Sequence, residues 1–255
     1  MGYIPCLLVA TWLPLLVSAW KYVSTNVTFA EPTVPATMIT PSPRHQHAQV
    51  YKPIPTFKHR NELGQLLDRE GFKIGAELGV QEGRYTEKLL QGWKGVEKYV
   101  LVDVWRSQEN YKDIANVPND KQEEYFRTTQ NYIKPWTDKI EVCRNWTTVC
   151  VNFFPRAFFD FVYVDARHDR LGVLDDLRDW WPKVKRHGLM CGHDYEEQED
   201  GPKSTNQRWD VNYDGTIDTT GRVVRGAVDD FAANVSRQVQ VSYREGNWNS
   251  WCIRK

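Results

Sequence analysis

The 255-residue chain reads as an α/β protein, a doubly wound sheet of mostly parallel strands with helices on both faces. Three observations predict it. From Thr56 onward, short apolar runs alternate with amphipathic stretches, the β-then-α order that builds a parallel sheet. The first such run, Ile74 to Leu90 (IGAELGVQEGRYTEKLL), passes from strand to helix through an acid and two glycines four apart. The residues that follow each strand are polar, as expected where ligands gather at the carboxyl ends of parallel strands.

Taken in order, a helix at Asn61–Arg69 precedes a strand at Lys73–Leu78, a helix at Gly83–Leu90 and a strand at Lys98–Asp103. A helix at Lys121–Tyr132 leads to a strand at Lys139–Cys143, a short helix from Thr147 and the strongly apolar strand Phe159–Val164. The amphipathic helix Arg170–Trp181 is stopped by Pro182, and a strand follows at Gly188–Gly192. After a polar loop, Glu196 to Gly221, come a helix at Val223–Val235 and two strands, Val239–Tyr243 and Trp248–Ile253. The turn Glu245-Gly246-Asn247 joins that pair into a closing hairpin.

The remainder is organised differently. Residues 1–19 hold an uncharged apolar stretch ending in Val17-Ser18-Ala19, the pattern of a signal peptide or, if uncleaved, a single-pass signal-anchor. Residues 20–56 are rich in Thr and Pro and read as a flexible tether, which leaves 57–255 as the catalytic domain with a loop insertion at 196–221. Entry to the secretory pathway, as a lumenal or secreted glycoprotein, follows as an expectation. Sequons at Asn26, Asn145 and Asn234 agree with it. Without Cys6 four cysteines remain, suited to an oxidising lumen, and the favoured disulfide pairs are Cys143–Cys150 and Cys191–Cys252. His45 and His47 lie in the tether and read as solvated.

Formal charge balances to zero, so the totals point to no nucleic acid partner. A small-molecule or glycan substrate is expected instead, with membrane contact only through an uncleaved N-terminus. Oligomeric state is not written in the sequence. Eleven Trp and twelve Tyr suit core packing first, and sugar or aryl stacking second.

The turn Glu77, Gly79, Gly83 spells E-x-G-x-x-x-G, with a carboxylate where the dinucleotide fingerprint G-x-G-x-x-G has its first glycine. A pyrophosphate would be repelled by that acid, whereas a cofactor with an amino group and a sulfonium would be attracted. This points to S-adenosyl-L-methionine. Asp103, about 26 residues beyond Glu77, is placed to accept hydrogen bonds from ribose hydroxyls. Trp146 is a candidate adenine-stacking surface and Thr147 a helix N-cap; a glycan on the adjacent Asn145 would block that end. The fourth and fifth strands deliver Asp165, His168, His193 and Asp194. Asp165 and Asp194 suit Mg²⁺ or another divalent metal, and a nearby histidine suits a general base.

The segments AELGVQEGRYTEKLL, YVLVDVW, FDFVYVDARHDRLGVLDDLRDWWPKVKRHGLMCGHDY and VRGAVDDFA resemble the class I SAM-dependent methyltransferases. Within them, the likeness is to the small-molecule O-methyltransferase branch of catechol and macrolide-sugar enzymes, over residues 57 to 255. The resemblance implies a Rossmann-like seven-stranded sheet of order 3-2-1-4-5-7-6 with strand 7 antiparallel. It also implies a metal on Asp165, His193 and Asp194, with His193 standing where relatives carry an acid, which favours softer ions than Mg²⁺. His168 matches a D-x-x-H run and is preferred to His187 as the substrate-facing catalytic residue, beside His193 and Asp165.

Alternatives remain. A nicotinamide oxidoreductase is disfavoured because G-x-G-x-x-G is missing and the chain has no Tyr-x-x-x-Lys dyad. A lumenal metallohydrolase using the Asp/His cluster, or a non-catalytic methyltransferase-fold binding protein, would show as metal-dependent cleavage or as cofactor affinity without transfer. Asp210 to Asp218 fits the first nine positions of a calcium loop, but Gly221 stands at position twelve where a glutamate belongs. A turn-rich lid is the preferred reading of this loop.

Overall fold

The computed structural model describes residues 52–244 and 248–255. The expected signal segment, Asn26, His45, His47 and the turn at 245–247 lie outside them. None of the helices among the described residues is long and apolar enough to cross a membrane.

Seven strands form one sheet of order β3-β2-β1-β4-β5-β7-β6. They are β1 Ile74–Leu78, β2 Lys98–Val102, β3 Ile140–Cys143, β4 Phe159–Val164, β5 Val184–Gly192, β6 Val239–Tyr243 and β7 Ser250–Arg254. The first five run parallel, and β7 lies antiparallel between β5 and β6. The order and the reversed last strand are those implied by the resemblance.

The alternation of side chains along each strand distributes two cores. In β2, Val100 and Val102 join Ala76, Leu78, Val162 and Val164 beneath helices α5 (Arg170–Trp180) and α7 (Val224–Asn234). Tyr99 and Leu101 face the other way, with Phe161 and Tyr163, onto α1 (Leu63–Arg69) and α2 (Arg84–Gly92). Central strands buried on both faces are largely apolar, hence the apolar runs in the sequence, with Glu77 of β1 the buried exception.

Local differences from expectation have local causes. Strand β5 starts at Val184, four residues early, because Val184 pairs with Phe159 before a register shift restores pairing at Leu189–Phe161. His187 sits in that irregularity at φ +66°, and its N–H donates to the Lys255 carbonyl at 2.9 Å. The polar run Lys185-Arg186-His187 thus looks like a preceding turn but is an interrupted strand. Pro182 lies inside a 3-10 turn, Trp181–Lys183, that continues α5. Thr147 is the first residue of α4 (Thr147–Cys150) and not its cap; that position belongs to Trp146, whose N–H is held by the Asn145 side chain at 2.8 Å. The tether expected to reach residue 56 ends sooner. The Phe57 N–H donates to the Ser242 carbonyl (2.7 Å), the Ile54 N–H to Gln240 Oε1 (2.7 Å) and Arg254 Nε to the Lys52 carbonyl (3.0 Å), which fastens this segment to β6 and β7.

Both expected disulfides are formed. Cys191 and Cys252 face each other across β5 and β7, and Cys143–Cys150 ties the edge strand β3 to α4.

The polar insertion is an ordered, packed structure. It carries a short helix, α6 (Gly201–Ser204), and buries Gln198, Gln207, Trp209 and Asn212. Gln198 stitches it together: its Oε1 accepts from the Trp209 N–H (2.8 Å) and its Nε2 donates to the Gln207 carbonyl (2.9 Å). The acids of the calcium-like run are engaged by neighbouring side chains. Asp210 pairs with Arg208 (2.7 Å), Asp214 accepts from Thr216, and Asp218 accepts from Thr220, while Asn212 holds the Leu171 N–H. A calcium loop needs these side chains to converge. Here each of the three acids already has a hydrogen-bond or ion-pair partner within the loop.

Candidate active site

At the carboxyl ends of the parallel strands lies a cleft of about 960 Å³. All of the residues expected at the site line it: Glu77, Gly79, Asp103, Trp146, Thr147, Asp165, His168, His193 and Asp194, except Gly83, which caps the helix behind it.

The turn after β1 is set by backbone geometry. Gly79 has φ +82°, and a Cβ there would fall 1.9 Å from the Asp165 carbonyl oxygen. The glycine is therefore required by the neighbouring strand end, in addition to any approach by a ligand. Gly83, at φ +76°, is the N-cap of α2 and abuts Thr129 of α3 (Asn119–Tyr132).

Glu77 is 1 % exposed and accepts hydrogen bonds from Thr86 Oγ1 (2.8 Å) and the Tyr99 hydroxyl (3.1 Å). Burial pushes its carboxyl up to about 8, against the opposing pull of those two donors. Asp103 organises the same turn: its Oδ2 accepts from the N–H groups of Val80 (2.8 Å) and Gln81 (2.9 Å), and its Oδ1 from Trp105 (2.8 Å). Desolvation raises its pKa, with the backbone donors working against the rise. At the opposite end, Trp146 is 41 % exposed beside Thr147. The Thr147 side chain bonds Asp176, a buried α5 acid that desolvation raises to about 7.

The third group is the acid–histidine cluster. Ligand atoms of Asp165, His168 and Asp194 lie within 4.8 Å of one another. His168 Nε2 is 3.1 Å from Asp194 Oδ2 and 3.5 Å from Asp165 Oδ1, without meeting hydrogen-bond geometry to either. His168 Nδ1 rests against Asp113 Oδ2 (3.0 Å) and the Tyr111 hydroxyl (3.1 Å). Asp113 is fixed in turn by Trp209 Nε1 (2.6 Å) and the Ala115 N–H (2.8 Å), and the Trp209 ring packs 4.4 Å from the imidazole. His193, expected among the ligands, instead places Nδ1 on the other oxygen of Asp194 at 2.9 Å. The converging trio is thus Asp165, His168 and Asp194, because the loop after β4 turns His168 inward.

Burial alone would lower the His168 pKa, but Asp194, Asp113 and Asp165 raise it well above the ordinary value. Asp165 and Asp113 are lowered, each against its own desolvation, chiefly by His168. An imidazole among three carboxylates is an arrangement whose negative charge a divalent ion would offset, with the imidazole bound in its neutral form. Two carboxylates plus an imidazole backed by a further carboxylate are a donor set that fits such an ion.

Sequence reasoning missed Asp113, Tyr111 and Trp209. They come from the segment after β2 and from the insertion, where no periodicity marks them; the bridge Lys112–Arg208 that brings the two together is a tertiary pairing.

A seven-stranded sheet with a reversed last strand, with a buried acid near the end of β1 and an acid just after β2 lining one cleft, is the arrangement that the resemblance to class I methyltransferases implies. Residues 76–195 match the family model described as a methyltransferase domain, a match that supports an S-adenosylmethionine-dependent methyltransferase. Among solved structures it is similar to an O-methyltransferase from Bacillus cereus in complex with SAH, at 14% identity and TM-score 0.53, covering 80% of this chain and 84% of that one. It is likewise similar to a Staphylococcus aureus protein assigned as a caffeoyl-CoA O-methyltransferase, at 10% identity and TM-score 0.53, covering 79% and 86%. At such identities the likeness is one of fold. No curated protein matches the chain.

Proposed function

We propose that this protein transfers a methyl group from S-adenosylmethionine to a hydroxyl of a small molecule or glycan, with a divalent metal assisting. The carrying observation is that a cofactor end, Glu77 and Asp103, and an acid–histidine end, Asp165, His168 and Asp194, share one cleft. The cofactor supplies an electrophilic methyl on a sulfonium, and a metal would supply positive charge that eases ionisation of an acceptor hydroxyl.

The remaining work belongs to the chain. Glu77 binds the amino group of the cofactor, and Asp103, by holding the Val80 and Gln81 amides, orders the turn and accepts from the ribose. Trp146 offers an exposed ring to the adenine. Asp165, His168 and Asp194 would hold the metal, with Asp113 fixing the ring of His168 through Nδ1. His193, beside Asp194, is then the base that takes the acceptor proton. The buried Trp209 and the half-buried Trp248, 5.7 Å apart, flank the acid–histidine end. The partly exposed ring of Trp248 suits the C–H face of a sugar. Location in the secretory pathway is part of the reading; the N-terminal apolar segment and the paired cysteines support it.

Two outcomes are expected. Calorimetry should show S-adenosylhomocysteine binding that falls at least about tenfold in Asp103→Ala, as charged hydrogen bonds of about 1.5–3 kcal/mol are lost; no binding by the wild-type protein would refute the function. Titration with Mn²⁺, followed by the loss of its free-ion EPR signal, should show binding that His168→Ala abolishes. Asp113→Asn should weaken it about 10- to 100-fold, and His193→Ala should have the smaller effect. Unchanged Mn²⁺ affinity in His168→Ala would remove His168 from the ligand set.

A further inference from the structure

Arg60 stands apart among the cationic groups of the cleft. It opens a 3-10 turn, Arg60–Glu62, ahead of α1 and outside the segment that matches the methyltransferase domain, yet its side chain lines the cleft beside Glu77 and Gly79. Two of the other cleft arginines are spent on protein partners. Arg84 pairs with Glu82, and Arg167 with Asp169, Gln108 and the carbonyls of Glu109 and Asn110. Arg106 is exposed on the loop after β2.

Arg60 has no such partner at hydrogen-bond distance among the described carboxylates. Its nearest is Asp165 Oδ2 at 3.9 Å, an ion-pair distance too long for a hydrogen bond. The guanidinium is instead positioned by aromatics, lying 5.1 Å from the centroid of Tyr85, which stacks on Tyr163 at 4.4 Å. Tyr163 is the β4 partner of Glu77. The guanidinium is therefore fixed at the Glu77 end of the cleft with N–H donors to spare, and its side chain is only 28 % exposed.

The ligand end expected there is a zwitterion. An amino group that pairs with Glu77 carries, on the same carbon, a carboxylate that would otherwise face Glu77 and Asp165, two groups of its own sign. Like charges at close range in a partly desolvated cleft cost more than they do in water. Arg60 is the cation placed to offset them. We propose that Arg60 binds the α-carboxylate of the methionine end of the cofactor, so that Glu77 and Arg60 together read the amino-acid zwitterion. The proposal rests on the methyltransferase reading. It adds a recognition element supplied by the segment that precedes the matched domain.

The test compares two ligands by calorimetry on the full chain: S-adenosylhomocysteine, and its decarboxylated amine analogue, which differs only by the missing carboxylate. Arg60→Ala should weaken S-adenosylhomocysteine about 10- to 100-fold, the scale of a charge-assisted bidentate pair. The analogue, already weak on the wild-type protein, should bind Arg60→Ala with little change or slightly better. Arg60→Lys should recover part of the loss, because the charge remains without the planar fork. An equal loss for both ligands would mean that Arg60 only neutralises Asp165 or props the turn, and an unchanged affinity for S-adenosylhomocysteine would also overturn the proposal. Misfolding of Arg60→Ala shows as loss of both ligands together with a lowered melting temperature, in which case Arg60→Gln against the same pair of ligands decides. Failure of the wild-type protein to bind S-adenosylhomocysteine would instead remove the methyltransferase reading, and the proposal with it.

Discussion

Gly79→Ala is expected to abolish S-adenosylhomocysteine binding and to destabilise the fold by more than about 4 kcal/mol, the range reached only when backbone and packing are violated together. Two costs combine. A residue with a Cβ at φ +82° enters the left-handed region at roughly 1–2 kcal/mol. The new methyl would then lie 1.9 Å from the Asp165 carbonyl oxygen and 2.7 Å from the Ala166 Cα. Neither is the end of a flexible side chain. Relief requires the ends of β1 and β4 to separate, but the Asp165 N–H donates to the Leu78 carbonyl at 2.7 Å and the Gly79 N–H to the Val102 carbonyl at 2.9 Å. Separation would therefore break the sheet where the Glu77 turn and the Asp165 cluster meet. Thermal unfolding with and without ligand measures both effects. A melting temperature within a few degrees of wild type, with binding retained, would show that the two strand ends are not packed as described.

The double role of Gly79 also shows what the sequence could and could not disclose. The E-x-G-x-x-x-G spacing announced a cofactor turn, because an acid in a phosphate-type loop makes sense only for a cationic ligand. That the glycine is equally demanded by the carbonyl of Asp165, 86 positions later, is a tertiary fact with no local signature. Strands β1, β2 and β4 were legible because burial on both faces leaves few polar residues in them. The start of β5 was not, since its irregular stretch, Lys185 to His187, is solvated and polar like a turn.

At the site, Asp165, His168, His193 and Asp194 were visible as strand-end residues, but their grouping was not. The residues alone pointed to Asp165 and Asp194 as ligands, and the resemblance added His193. The structure turns His168 toward both aspartates and backs it with Asp113, a residue delivered by a connection without period and held by a tryptophan from the insertion. Side chains that reach a site from irregular segments are found by contact, and no spacing rule reaches them.

S-adenosylhomocysteine affinity is expected to rise with pH between about 6 and 8, by up to tenfold per pH unit, and to lose this slope in Glu77→Gln. The reason is the proton on Glu77. Burial raises its carboxyl from an ordinary 4.5 to about 8, with Thr86 and Tyr99 pulling the other way and Asp165 adding to the rise. In the free protein at neutral pH the group is largely protonated. A bound ammonium requires the anion, so binding below pH 8 must release a proton, and each pH unit below 8 weakens affinity by the same factor. Calorimetry in buffers of different ionisation enthalpy would count that proton directly. The stability of the unliganded protein should run the opposite way. Between pH 4.5 and 8 the unfolded chain has lost this proton while the folded chain keeps it, so stability falls as pH rises through the window. Asp176, raised to about 7 mainly by burial, adds a contribution of the same sign. Glu77→Gln, which removes the charge and keeps the shape, should therefore be more stable than wild type at pH 8.5, by up to about 4 kcal/mol, while binding S-adenosylhomocysteine far more weakly. A variant that lost stability at pH 8.5, or that bound the ligand with the wild-type pH slope, would show that Glu77 is a structural acid and not the partner of the ammonium. The two opposing slopes distinguish a carboxyl kept for its ligand from one kept for the fold. A structural acid would stabilise the free protein when ionised, whereas Glu77 is stabilised as an anion only when a cation arrives.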